Sequence, residues 1–140
     1  MHSGIPERIR LFGIDCPEKN QAFGERAKKE TSNLVFGKTV QVTSFSKDKY
    51  GRTIGEVLFE NTQSLNKLLV SNGYCWWYEK YAPKNAELNH LQQQARAKKL
   101  GLWHDKNPIP PWEFRAGSTG WQKNFIWDSN RLIRAVKVYM

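Results

Sequence analysis

Hydrophobic and polar positions along the chain follow two periods, and the switches between them outline a small mixed domain. Ile9, Leu11 and Gly13 alternate with Arg8, Arg10 and Phe12, which predicts a strand within Ile5–Ile14. It stops at Asp15-Cys16-Pro17-Glu18, where proline ends regular pairing and forces a turn. From Gln21 to Val35 the period lengthens. Phe23, Ala27, Leu34 and Val35 recur among Glu25, Arg26, Lys28, Lys29 and Glu30, the pattern of a surface helix, with Gly37 as its C-cap. Thr39–Phe45 and Thr53–Phe59 read as the arms of a hairpin, and the charged stretch from Ser46 to Arg52 forms its tip.

A short helix over Ser64–Ser71 collects Leu65, Leu68 and Leu69 on one face and stops at Asn72-Gly73. Tyr74–Tyr78 is aromatic enough for a strand. A third helix over Asn85–Leu100 carries Leu88, Leu91, Ala95 and Lys98 in its inward stripe, with Gly101 at its C′ position. Beyond Trp103 the prolines predict an extended path over Asn107–Trp112, and Gly117–Gly120 reads as a joint. The alternating Leu132–Val138 suits an ordered tail as well as a mobile one. Several strands in mixed order with three peripheral helices predict an α+β domain around a barrel-like sheet.

Composition sharpens this picture. The chain has 140 residues, enough for one domain, and its 18 aromatic residues argue against disorder. No apolar run approaches the roughly 18–20 residues of a membrane helix, so no membrane partner is expected. The formal net charge of +9 points to an anionic partner, with nucleic acid the first candidate. The surplus is +6 over residues 1–109 (17 basic, 11 acidic) and +3 beyond (five basic, two acidic), so it is not simply a basic tail. Cys16 and Cys75 form no CxxC pair and show no ligand spacing with His2, His90 or His104. They read as small buried hydrophobes ahead of a disulfide.

Candidate chemistry sits at two turns. Arg10, Asp15 and Glu18 fall within nine residues, and Asp48-Lys49-Tyr50-Gly51-Arg52 forms the hairpin tip. Each residue alone has an ordinary role: Arg10 in a surface ion pair, Glu18 at a helix N-terminus, Asp48 and Gly51 in a tight turn. Together they meet the needs of phosphodiester hydrolysis. Arginine forks donate to phosphate oxygens, one carboxylate activates water, and another holds a hard cation. Lys28-Lys29 and Lys98-Lys99 read as solvated helix faces, and at least two of Trp76, Trp77 and Tyr78 as packing residues.

RLFGIDCPE, DKYGR, NGYCWWYEKYAP and ARAKKLGLW, in this order over about residues 8–104, resemble the staphylococcal nuclease (thermonuclease) family, and NPIPPWEFR is also similar to bacterial relatives. The resemblance implies an OB-fold, a five-stranded barrel with three helices that binds single-stranded or frayed DNA and RNA and leaves 3′-phosphate ends. By position it implies Arg10 and Arg52 as the catalytic arginines and Glu18 as the general base. Asp15 and the Cys16 backbone carbonyl match calcium ligands. Lys49 and Tyr50 match residues beside the nucleotide phosphate, and Tyr78 and Tyr81 lie near the family's other nucleotide-contacting tyrosine. Family members are often secreted or periplasmic.

One departure stands out. The family's Asp-Gly-Asp-Thr turn, which supplies the second calcium carboxylate, is absent, and the first strand of the barrel with it. A shortened chain, a degenerate relative, or rescue of the vacant edge by Leu132–Val138 or by a strand-swapped partner are the competing expectations. The expected organisation is a nuclease-like domain over residues 1–106 and an extension over 107–140, in a monomer or a swapped dimer. The alternative function is an OB-fold module that binds nucleic acid without cleaving it.

Overall fold

The computed structural model describes residues 7–60, 62–117 and 138–139. Its main sheet is built on the predicted hairpin. Strands β3 (Val40–Lys47) and β4 (Thr53–Phe59) pair antiparallel, and the first strand, β1 (Ile9–Leu11), adds to β4 in parallel. Alternation along β4 puts Thr53, Gly55, Val57 and Phe59 on the buried side. At Phe45 a bulge interrupts the ladder: Ser44 faces Gly55 and Ser46 faces Ile54, leaving one extra residue on β3. Short β5 (Gln63–Ser64) pairs with β4, and the backbone of β7 (Val138–Tyr139) runs parallel to Val40–Gln41. The rest of the Leu132–Val138 segment lies outside the described residues.

The first predicted strand is broken in two. Gly13 adopts φ +78°, a conformation that favours glycine, and a Cβ there would meet Leu88 Cδ1 at 2.9 Å. Beyond it β2 (Ile14–Asp15) leaves the main sheet and pairs antiparallel with β6 (Trp76–Trp77). Directly beside this pair Cys16 and Cys75 are joined in a disulfide, which corrects their reading as free buried thiols. Adjacent strands bring together two cysteines 59 residues apart, a proximity that spacing alone does not reveal.

Helix α1 (Gly24–Val35) buries Gly24, Ala27, Thr31 and Val35, and leaves Lys28 and Lys29 exposed. Helix α2 (Leu65–Ser71) starts at Ser64, whose side chain accepts from the Lys67 amide. Its buried Asn66 accepts from the Val57 amide and donates to the carbonyls of Phe12 and Gly55, locking helix and strands into one register. Helix α3 (Ala86–Ala97) buries Leu88 and Ala95. Lys98 is exposed rather than part of the inward stripe. Lys99, not Gly101, is the left-handed residue just past the α3 cap, and Gly101, also at positive φ, opens a 3-10 turn over Gly101–His104.

Helix α4 (Pro111–Gly117) corrects two expectations, the extended path through Trp112 and the count of three helices. Among the described residues there are four α-helices. Proline restricts the residue before it, but its own φ suits the first position of a helix, and Pro111 occupies that position. The core runs from Ile9 and Leu11 through Ile14, Val57, Leu65 and Leu69 to Leu88. Trp76 and Trp103 form a second cluster with Trp112 against it.

Candidate active site

The parallel register sets Arg10 opposite Ile54, and Arg52 sits two residues before Ile54, immediately ahead of β4, so both arginines reach one side of the sheet. This face forms the floor of a cleft of about 590 Å³ lined by Arg10, Phe12, Phe45, Lys49, Tyr50, Arg52, Tyr78, Tyr81 and Arg115, among others. Arg10 lies over the Tyr81 ring at 5.5 Å, and both Lys49 and Arg52 lie over Tyr50, at 5.2 and 5.4 Å. Tyr50 and Tyr81 are 45% and 55% exposed and offer ring surface to a ligand. Tyr78 is buried, with one face stacked on Trp112 at 5.1 Å and Tyr81 edge-on at 4.8 Å. Trp76 and Trp77 are buried packing residues, as their aromatic run implies.

At the hairpin tip Asp48 organises the loop. One carboxylate oxygen accepts from the amides of Tyr50 and Arg52, and the other accepts from Arg52 Nε at 2.5 Å. This chelation orients the Arg52 fork, whose side chain is nearly buried. Burial by itself would raise the Asp48 carboxyl. The hydrogen bonds from the Arg52 backbone and side chain and the Tyr50 amide, with the Arg52 charge, outweigh it and hold the group below its usual range. A carboxyl depressed in the folded state stabilises above its unfolded pKa of about 4, and that contribution disappears as pH falls through the folded value. Urea midpoints measured from pH 7 down to pH 3 should therefore fall less for Asp48→Asn than for the unaltered chain. The difference should stay within the ~1 kcal/mol of a partly exposed ion pair.

Asp15 and Glu18 are not among the residues lining this cleft; they lie buried beside it. Asp15 ends β2, stapled to β6 and flanked by the disulfide, and Glu18 sits in the turn that follows Pro17. That turn is fixed from both sides. The Glu18 amide donates to Gln21 Oε1, and the Gln21 amide donates back to the Glu18 carbonyl, both at 2.9 Å. Gly24 presses on the same carbonyl, where an added Cβ would sit 1.9 Å from the oxygen, so only glycine fits there.

Both carboxylates are held by Arg115 of α4. Its Nη2 donates to Asp15 Oδ2 at 2.7 Å and its Nη1 to Glu18 Oε2 at 2.5 Å, with a longer contact from Nη1 to Asp15 Oδ1 at 3.4 Å. Burial alone would lower the Arg115 pKa, but hydrogen bonds and charge from Asp15 and Glu18 raise it, and the guanidinium stays protonated. Sequence reasoning missed Arg115, because no local pattern ties it to residues 97 and 100 positions away. Asn66, Trp112 and Gln21 were likewise missed. The only trace of Asn66 in the sequence is an amide inside a leucine-rich stripe.

The description of the staphylococcal nuclease homologue family matches residues 8–105, 98 of the 140 positions. The chain belongs to this family. An uncharacterized endonuclease of Escherichia coli is 44% identical over 115 residues, covering 82% of this chain and 74% of that protein. A micrococcal nuclease of Shigella flexneri is 40% identical over 120 residues, covering 79% and 69%. A staphylococcal-like nuclease of Arabidopsis thaliana is 38% identical over 113 residues, 81% of this chain but 34% of the plant protein. Family membership carries the OB-fold with it, in the α+β class seen here. The family match ends before α4, so Arg115 and Trp112 lie beyond the matched segment.

The family implies a calcium ion held by Asp15 and the Cys16 carbonyl. Calcium takes six to eight oxygen ligands. Among the described residues no group of three or more His, Cys, Asp or Glu side chains could hold a metal ion. Asp15 and Glu18 supply carboxylates of the right kind, but a guanidinium already engages both. As arranged, these residues fit an arginine rather than calcium.

Proposed function

We propose that the chain is a nuclease that hydrolyses phosphodiester bonds in single-stranded or frayed DNA and RNA with little sequence preference, leaving 3′-phosphate ends. The supporting observation is the placement of Arg10 and Arg52 on one sheet face, in a cleft edged by Lys49 and by the exposed rings of Tyr50 and Tyr81. Exposed tyrosine rings suit unpaired bases, whose faces stack regardless of identity. The two guanidinium groups suit the phosphate between them, where negative charge grows as water adds to phosphorus.

In this reading Glu18 accepts a proton from the attacking water. The P–O5′ bond breaks, and the electron pair leaves with the 5′ oxygen, which takes up a proton. The phosphate remains on the 3′ side. Arg52, oriented by Asp48, steadies the leaving oxygen and Arg10 the equatorial oxygens. The family's calcium would draw on Asp15 and the Cys16 carbonyl, and calcium dependence belongs to this proposal rather than to the arrangement described. Tyr78 and Tyr81 both line the cleft, and of the two Tyr81 is the exposed one.

End-group analysis of a single-stranded DNA digest tests the reading. With calcium, cleavage should leave 3′-phosphate ends and should stop when chelator is added, and Arg52→Lys should lower kcat by roughly 10²-fold, since lysine lacks the planar fork. Ends carrying 5′-phosphate, or an Arg52→Lys enzyme of full activity, would sink it. The second reading, a module that binds without cleaving, is favoured by the hold of Arg115 on Glu18, which ties up the base. Salt-dependent binding of single strands with no cleavage under either condition would establish it.

A further inference from the structure

Two buried carboxylates facing one point are unstable unless a cation compensates them, because each loses its hydration and repels the other. Asp15 and Glu18 have side chains 1% and 0% exposed, and the positive charge between them comes from α4. Arg115 meets Asp15 with both terminal nitrogens and Glu18 with one. A planar fork spanning two carboxylates satisfies directions that a lysine could not.

The segment that delivers Arg115 is itself anchored. Trp112 stacks on Tyr78 with the ring planes 8° apart and meets Trp76 edge-on at 5.6 Å, and Pro111 is buried. Gln21 Nε2 donates to the Ile109 carbonyl while its Oε1 accepts from the Glu18 amide. The turn carrying Glu18 is therefore clasped twice by residues 109–115, once through Gln21 and once through Arg115. Such a clasp holds the guanidinium in place at high effective concentration.

We propose that Arg115 is a built-in competitor for any divalent cation at Asp15 and Glu18, so that a metal ion binds there only as Arg115 withdraws and α4 loosens from the turn. The proposal stands on the contacts of Arg115 and not on nuclease activity. A metal ion and the guanidinium compete for the same oxygens, because Arg115 already occupies both Asp15 oxygens and Glu18 Oε2, and its charge repels an incoming cation. Arg115 also positions the pair, holding both carboxylates against the β2 end and the Pro17 turn while no metal is bound.

The test is binding, with no nucleic acid present. Terbium luminescence sensitised by the nearby tryptophans, with calcium as displacing ion, should show Ca²⁺ affinity at least tenfold tighter in Arg115→Ala than in the unaltered chain. Arg115→Lys, which keeps the positive charge but loses the fork, should fall between the two. Equal affinity in all three proteins, no binding by any of them, or an Arg115→Lys that matches Arg115→Ala would overturn the proposal. A second readout needs no variant: trypsin should cut after Arg115 several-fold faster in calcium than in chelator. An unchanged rate at saturating calcium would overturn it equally. Loss of cleavage in the digestion experiment leaves these binding results standing, so the two readings fail separately.

Discussion

Glu18→Gln is expected to lower kcat on single-stranded DNA by about 10²–10⁴-fold, the range for removing a general base, with KM nearly unchanged. The substitution keeps the size of the side chain and its acceptor oxygen, so the turn held by Gln21 and Gly24 should persist. Arg115 would keep Asp15 as a partner. A loss confined to kcat separates chemistry from binding, because the arginines, Lys49 and the exposed tyrosines of the cleft are untouched. Steady-state kinetics beside a filter-binding isotherm makes the distinction. Retention of full kcat by Glu18→Gln would remove this residue from the mechanism and leave another group to activate water.

Cys75→Ser should cost about 2–4 kcal/mol of stability, the usual range for a native disulfide. The bond spans a separation of 59 residues and joins the β2 and β6 ends, so removing it releases a long loop in the unfolded chain. For a domain of this size the loss corresponds to a fall in Tm of roughly 10 °C. Calorimetry of the variant and of the reduced chain should give the same fall, since both open the same bond. An unshifted Tm on reduction would show that the thiols are not joined in solution. The variant should also loosen Asp15, which sits one residue from the bridge, and with it the grip of Arg115.

The hairpin and the three helices before residue 98 were legible in the sequence because local periodicity records local packing. Val40, Val42, Val57 and Phe59 alternate because one sheet face is buried, and Leu65, Leu69, Leu88 and Ala95 recur because one helix face is. Arg10, Arg52 and Tyr81 could be placed in one site through the resemblance, and the β1–β4 register brings them to one cleft. The illegible parts depend on contacts between distant segments. The break at Gly13 lies where Leu88, 75 residues later, packs close, and the disulfide comes from the pairing of β2 with β6. Arg115 follows Asn107–Trp112, whose prolines read as extended. Its partners are fixed by the docking of Trp112 on Tyr78, which no spacing rule encodes.

The bulge at Phe45 ties the function of the site to chain length. With one residue more on β3 than on β4, the odd and even positions exchange faces between Ser44 and Ser46. Phe45 itself packs against Phe12 at 4.7 Å at the edge of the cleft. Asp48, three residues on, reaches Arg52 only in the frame set after that exchange. A neighbouring strand could trade one residue for another and keep this frame, whereas losing a single residue at the bulge would turn Asp48 to the opposite side of the hairpin. Among descendants of this chain, substitutions at the exposed positions of β3 should therefore accumulate while insertions and deletions are purged.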